Sequence, residues 1–375
     1  MMSDATNQLV VVKIGSNVLV DDAGVLDKDF IADISAQLCR VIDAGWRVVL
    51  VTSGAVAAGM SRLGLSSRPS DLPSLQAAAS AGQAAVIETY AEALLAHGRP
   101  CGQILLTRGD TADRSSYLNA RNTMERLIEM GAIPIVNEND TVTIGGVAET
   151  FGDNDMLGAV IAALMGANLY VILSDVEGLY TKDPSKDADA RLIPEVHEVT
   201  DDILSLAGGA GSEVGTGGMA TKVRAGRAML TAGIPMVVCK GRCPSVLVDL
   251  IVEGHHHGTR FTSDSMNSES ARKLWIGLAG ISKGRLVVDD GAASALRKGG
   301  GSLLPVGVVS VQGAFEAGDI VSVVDSSGSL VGRGFCRYDC EELEKARGLR
   351  LEVIGRFLPE RAGQPCIHRD EMLVF

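Results

Sequence analysis

Along the first 260 or so positions, apolar residues fall into short runs separated by longer stretches of helical periodicity. Positions 9–14, 47–52, 102–106, 132–136, 169–173 and 235–239 are compact aliphatic runs bounded by glycine or polar residues, as buried strands are. Between them, 27–44, 75–97, 115–130, 153–165 and 218–232 read as helices. Strands alternating with helices of this length predict an α/β fold, with a mainly parallel central sheet and helices on both faces. Ligands of such sheets bind beyond the carboxyl ends of the strands. Polar signals gather there: Lys13 to Ser16, Ser53-Gly54, Asn137 to Asp140, and Ser174-Asp175.

After about position 275 the pattern changes. Segments 286–289, 307–311, 320–324 and 332–335 are short and β-branched, with Gly, Ser and Asp turns between them, which predicts a small β-rich C-terminal domain. The polar stretch 263–268 marks the changeover. The expected domains are 1–265 and 281–360.

Composition narrows the function. A chain of 375 residues is long enough for two cores, and 44 glycines with only 4% aromatics suit many tight turns around aliphatic strands. No apolar run approaches the roughly 18–20 residues that span a bilayer, and no secretory leader pattern opens the chain. The seven cysteines are odd in number and show no CxxC spacing, which argues against a disulfide framework and a zinc ribbon. A cytoplasmic location is the expectation. The net charge is −12, yet residues 281–375 carry 12 Lys+Arg against 13 Asp+Glu. An acidic protein that handles anions must concentrate its cations locally, so each of the ten lysines beside a glycine turn stands out.

Two phosphate-binding architectures are excluded. The dipeptide Gly-Lys occurs nowhere, which removes a Walker A loop, and His368-Arg369-Asp370 lacks the asparagine that a protein-kinase catalytic loop requires. Lys13, before Gly15, could face a transferring phosphoryl group or simply end a strand. Ser53-Gly54 could open an anion-binding helix, or Ser53 could be an N-cap. Asn137-Glu138-Asn139-Asp140 and Phe151-Gly152-Asp153-Asn154-Asp155 could hold an amino group or orient a lysine, though Asn and Asp also favour turns and caps. The most specific segment runs from Gly208 to Lys222: a glycine-rich loop enters a helix with a lysine one turn inside, so backbone N–H groups can wrap phosphates while Lys222 reaches the last of them. His255-His256-His257 reads as a solvated loop, without a cysteine or carboxylate at metal-site spacing. Cys336 and Cys340 read as incidental, and the stretch 77–85 as helix packing.

Taken together, Val-Lys-Ile-Gly-Ser (12–16), Thr-Ser-Gly-Ala-Val (52–56), Asn-Glu-Asn-Asp (137–140), Phe-Gly-Asp-Asn-Asp (151–155), Ser-Asp-Val-Glu-Gly-Leu-Tyr (174–180) and Gly-Thr-Gly-Gly-Met-Ala-Thr-Lys (215–222) resemble the amino acid kinase family, its glutamate-phosphorylating members in particular. The stretch from Gly284 through Ser302-Leu-Leu-Pro-Val-Gly-Val to Gly332-Arg-Gly resembles a PUA domain.

The resemblance implies an amino acid kinase-like sandwich that transfers the γ-phosphate of ATP to the side-chain carboxylate of L-glutamate, the first step of proline synthesis. Mg²⁺ would travel with the nucleotide, and no metal ligand among the protein's residues is implied. By motif position, Lys13 and Lys222 stabilise the transferring group and Asp155 orients them. Ser53, Asp140 and Asn154 bind glutamate. Lys13, Ser174 and Asp175 contact the nucleotide, and Thr216, Gly217, Gly218, Met219, Ala220, Thr221 and Lys222 wrap its phosphates. Ser174 stands where Thr is usual, and Ala220 where Ser is common. The resemblance further implies inhibition by proline, a homodimer or homotetramer, and a reductase that consumes the acyl phosphate. The alternatives are a kinase of the same fold acting on another acceptor, and an RNA-binding protein on the strength of the PUA-like region. The latter lacks a basic footprint.

Overall fold

The computed structural model describes residues 8–21, 24–143, 154–208, 218–263, 271–274, 276–277, 282–298 and 301–375. The chain forms two compact units, Met1–Ser268 and Glu269–Phe375.

The first unit is built on an eight-stranded sheet: β1 (Leu9–Ile14), β2 (Arg47–Val51), β3 (Cys101–Leu106), β4 (Ile133–Glu138), β5 (Leu169–Ser174), β6 (Glu195–Val196), β7 (Met236–Lys240) and β8 (Thr259–Phe261). Their order across the sheet is β3-β4-β2-β1-β5-β7-β8-β6. All neighbours are parallel except β7 and β8. Strands β1, β4 and β5 are buried along their whole length, which explains why they read as continuous aliphatic runs rather than alternating ones.

The chain leaves β1 for β2 on one side and later returns to place β5 on the other. The connection order therefore reverses between β1 and β5, and the crevice at such a switch point is where an open α/β sheet binds its ligand. Lys13 pairs with Ile172 and Ile14 with Leu173 along this seam.

Helices cover the sheet. Lys28–Asp43 starts where the Asp27 carboxylate accepts the Phe30 N–H at 3.0 Å, and buries Phe30, Ile31, Ile34 and Leu38 against Val10, Val12 and Leu50. Helices Ala55–Arg62 and Leu72–Leu95 touch backbone to backbone. A Cβ on Gly59 would strike the Ala78 carbonyl, and one on Gly82 the Ala55 carbonyl. The alanine-rich stretch 77–85 is thus a packing surface, as its composition suggests.

The second unit carries a five-stranded sheet of β9 (Gly284–Val288), β10 (Val308–Gly313), β11 (Ile320–Val324), β12 (Leu330–Phe335) and β13 (Met372–Val374), in the order β10-β9-β11-β12-β13. Only β9 and β11 run parallel. Its core joins Leu286, Val321, Val323 and Val331 to Tyr338, whose hydroxyl donates to the Gln364 carbonyl at 2.9 Å. Three short strands, β6, β8 and β13, have no counterpart in the sequence reading. Two or three residues carry too little periodicity to stand out.

Candidate active site

Three groups of side chains converge at the carboxyl ends of the central strands. The first surrounds Asp155, in the opening turn of helix Asn154–Met165 and entirely buried. The Lys13 ammonium, from the end of β1, lies 2.6 Å from one carboxylate oxygen. Lys222, from helix Met219–Ala232, lies 3.2 Å from the other, and the Thr221 hydroxyl is 2.9 Å from that same oxygen. Both lysines are nearly inaccessible, at 2% and 5% exposure. Charged groups leave water only when they are paired, and Asp155 supplies the pairing. Beneath, the Tyr170 hydroxyl donates to the Asp155 carbonyl at 2.8 Å, fixing the helix start to β5. Position 158 must be glycine for this, since a Cβ there would occupy the space of the Tyr170 hydroxyl.

The second group lies at the end of β5. The Ser174 hydroxyl donates to one oxygen of Asp175 at 3.0 Å, and the Asn17 amide donates to the other at 2.9 Å. Burial pushes the Asp175 carboxyl up, but these two donors and the nearby Lys222 charge outweigh it and hold the group below the usual carboxylate range. Gly241, after β7, donates its N–H to the Ser174 carbonyl at 2.8 Å and ties the two strand ends together. Helix Met219–Ala232 begins here at Gly218, where an added Cβ would meet nothing within 4 Å. Met219 and Ala220 form its first turn. Thr216 and Gly217 lie outside the described residues, as do Phe151, Gly152 and Asp153.

The third group hangs on Asn154. Its amide nitrogen reaches the Thr52 carbonyl at 2.6 Å, the Asn137 side-chain oxygen at 2.7 Å and the Ser53 hydroxyl at 3.2 Å. One side chain thus joins the ends of β2 and β4. Ser53 is not the cap of the following helix. Gly54 fills that position at φ +82°, a left-handed turn that leaves the Ser53 hydroxyl to Asn154. Asp140 stands apart, at the start of the turn Asp140–Val142. Burial raises its carboxyl above the usual range, with the Arg68 charge offsetting only part of the effect. A half-buried carboxylate of this kind gains from an arriving cation such as an ammonium group.

Comparison with known proteins gives the family of each region. The amino acid kinase family model matches residues 8–240, and the PUA domain model matches residues 284–358. The chain is 42% identical to glutamate 5-kinase of Syntrophotalea carbinolica, with all of both chains covered. It is 41% identical to glutamate 5-kinase of Caldanaerobacter subterraneus subsp. tengcongensis, over 97% of each chain. To glutamate 5-kinase of Myxococcus xanthus it is 43% identical, over 97% of this chain and 96% of that one.

The chain belongs to the amino acid kinase family.

In this amino acid kinase, several residues that shape the site escaped the sequence reading. Asn17 holds Asp175, and Tyr170 anchors Asp155. Gln83 accepts the Asn137 amide at 2.6 Å, and Gln76, two helical turns earlier on Leu72–Leu95, donates to the Thr143 carbonyl at 3.1 Å. A signal for the glutamines does exist: positions 76 and 83 are seven apart, on one face of an alanine-rich helix. Nothing in the sequence marks Arg68, whose charge reaches Asp140 across the fold.

Proposed function

We propose that this chain phosphorylates the side-chain carboxylate of L-glutamate with ATP, giving L-glutamyl 5-phosphate at the head of proline synthesis. The observation that carries the reading is the buried Asp155 with Lys13 and Lys222 on its two oxygens. Two ammonium groups held at a fixed spacing, where the sheet opens, suit a phosphoryl group whose charge spreads over its oxygens as it moves. The acceptor is a carboxylate, already nucleophilic at neutral pH, so the chemistry needs positioning and charge neutralisation rather than a general base.

In this scheme Lys13 and Lys222 bind the transferring group and Asp155 orients both. Ser174, Asp175 and the segment from Thr216 to Lys222, including Gly217, Gly218, Met219, Ala220 and Thr221, hold the nucleotide. Ser53 and Asn154 position the acceptor, and Asp140 takes its α-ammonium group. Both oxygens of Asp155 already face ammonium or hydroxyl donors, so Mg²⁺ fits as a companion of the nucleotide's own phosphates, where it would neutralise their charge. Proline is the expected inhibitor, competing at the acceptor subsite. The active species is expected to be a homodimer or homotetramer, and a reductase is expected to consume the short-lived acyl phosphate.

The test is ATP consumption with trapping of the product by hydroxylamine as the hydroxamate. L-glutamate should give hydroxamate, and Lys222→Ala should reduce its formation by about 10²-fold or more while the protein stays folded. Product from aspartate or N-acetylglutamate but not from glutamate would overturn the substrate assignment.

A further inference from the structure

Away from this site, four of the six histidines meet three carboxylates on one surface of the first unit. Asp249 and Glu253 closely precede His255-His256-His257 in the sequence, and the fold turns them towards the loop. Helix Val246–Ile251 brings Asp249 beside the loop, and Glu253 follows it. One donor atom each from Asp249, Glu253 and His255 lies within 4.8 Å of the others. His255 Nδ1 is 3.4 Å from a Glu253 oxygen, and His257 Nε2 is 3.6 Å from an Asp249 oxygen.

These distances suit an ion. A tetrahedral cation with bonds of about 2.0–2.1 Å holds its ligand atoms roughly 3.3–3.5 Å apart. The His255–Glu253 pair already has that separation, and small side-chain rotations close the rest. The loop is also fixed in place. His255 N–H donates to the Asp249 carbonyl at 2.8 Å, and Glu253 N–H to the Val248 carbonyl at 3.1 Å. Beyond the histidines, Gly258 packs where a Cβ would overlap the Val238 carbonyl.

We propose that Asp249, Glu253 and His255 form a surface site for a borderline transition-metal dication, Zn²⁺ first among them, with His257 steadying the Asp249 carboxylate. An imidazole in the set selects against Mg²⁺ and Ca²⁺, which take oxygen ligands. At 3.6 Å the His257 imidazole stands just outside hydrogen-bond reach of Asp249, and a slight approach would make it the kind of outer contact that orients metal ligands. The proposal does not depend on the phosphotransfer reading, because no residue of the Asp155 cluster takes part.

Calorimetric titration of the chelator-stripped full chain with ZnCl₂, in excess MgCl₂, tests it. Wild type should bind a Zn²⁺ ion that His255→Ala and Glu253→Gln each weaken tenfold or more, while His368→Ala, in the second unit, matches wild type. Cysteines that take zinc contribute equally to every variant and cancel from the comparison. His255 and Glu253 are exposed, so both variants should fold, and circular dichroism checks this. An unchanged isotherm in both variants would overturn the proposal. So would a loss of binding in His197→Ala or His256→Ala alone, since these two histidines pair with Glu195 instead.

Discussion

The centre of the site makes one perturbation unusually informative. Asp155→Asn keeps the shape of the side chain and removes its charge, leaving the Lys13 and Lys222 ammonium groups buried without the carboxylate 2.6 and 3.2 Å away. Breaking one buried ion pair from one side costs about 3–5 kcal/mol, because the remaining charge keeps its desolvation penalty and loses its compensation. Here one carboxylate serves two lysines, so the upper end of that range is expected. For a unit of this size, each kcal/mol moves the midpoint by about 2–4 °C, so the variant should melt roughly 10–20 °C below wild type. A non-hydrolysable ATP analogue should narrow the gap, because its phosphates bring negative charge back to the two lysines. Turnover should fall about 10²–10³-fold even at saturating substrates, since the cations lose their fixed spacing. Adding Lys222→Met to the variant should recover part of the lost stability without recovering activity, which measures the coupling directly. Scanning calorimetry and the hydroxamate assay read both quantities. If Asp155→Asn melted within 2 °C of wild type, or turned over within a few-fold of it, the view of Asp155 as counter-charge and positioning residue would be wrong.

Three further variants test named contacts. Asp140→Asn should raise the KM for glutamate about tenfold or more at unchanged folding, since a charge-assisted contact is worth roughly 1.5–3 kcal/mol; an unaltered KM would remove Asp140 from acceptor recognition. The same variant should stabilise the ligand-free protein at neutral pH: burial raises the Asp140 carboxyl in the folded state, so its stabilising contribution is complete below the unfolded value near 4 and lost as pH rises through the folded one, and the Tm difference should vanish in acid. Asn154→Ala should cost about 1–3 kcal/mol in urea melts and raise the KM, because it leaves Thr52, Ser53 and Asn137 without their shared donor. Gly82→Ala should cost about 1–3 kcal/mol or more through collision with the Ala55 carbonyl, despite alanine's better helix propensity; a stabilised variant would contradict the close helix crossing.

The sheet was legible in the sequence because its inner strands are buried on both faces and must be continuously aliphatic. Predicted positions 9–14 and 169–173 coincide with β1 and nearly with β5. Lys222 stood out in the sequence through the glycine-rich loop before its helix, whereas Lys13 and Asp155 were singled out by the combined motifs and the resemblance they carry. What the sequence hides is the partner across the fold. Asp155 and Lys222 are 67 positions apart, and the Gln83–Asn137 contact spans 54. Such pairings depend on which strands are neighbours, and that order is a property of the folded sheet. The histidine loop is a different case: Asp249 and Glu253 are near in the chain, and the turn after helix Val246–Ile251 sets their distance from the histidines.

Under the proposed function, the topology would let an acidic chain with ten lysines manage a highly charged nucleotide. Lys13 comes from β1 and Lys222 from a helix more than 200 positions later, and neither is a surface cation that salt would screen. Burial away from water strengthens their field. Asp155, in the first turn of helix Asn154–Met165, pairs with both and fixes where the charge points. The three charged groups are therefore interdependent, and each is held by a different element that packs on the switch point of the sheet. A site assembled in this way needs few cations, provided the fold holds each of them at hydrogen-bond distance from the one carboxylate they share.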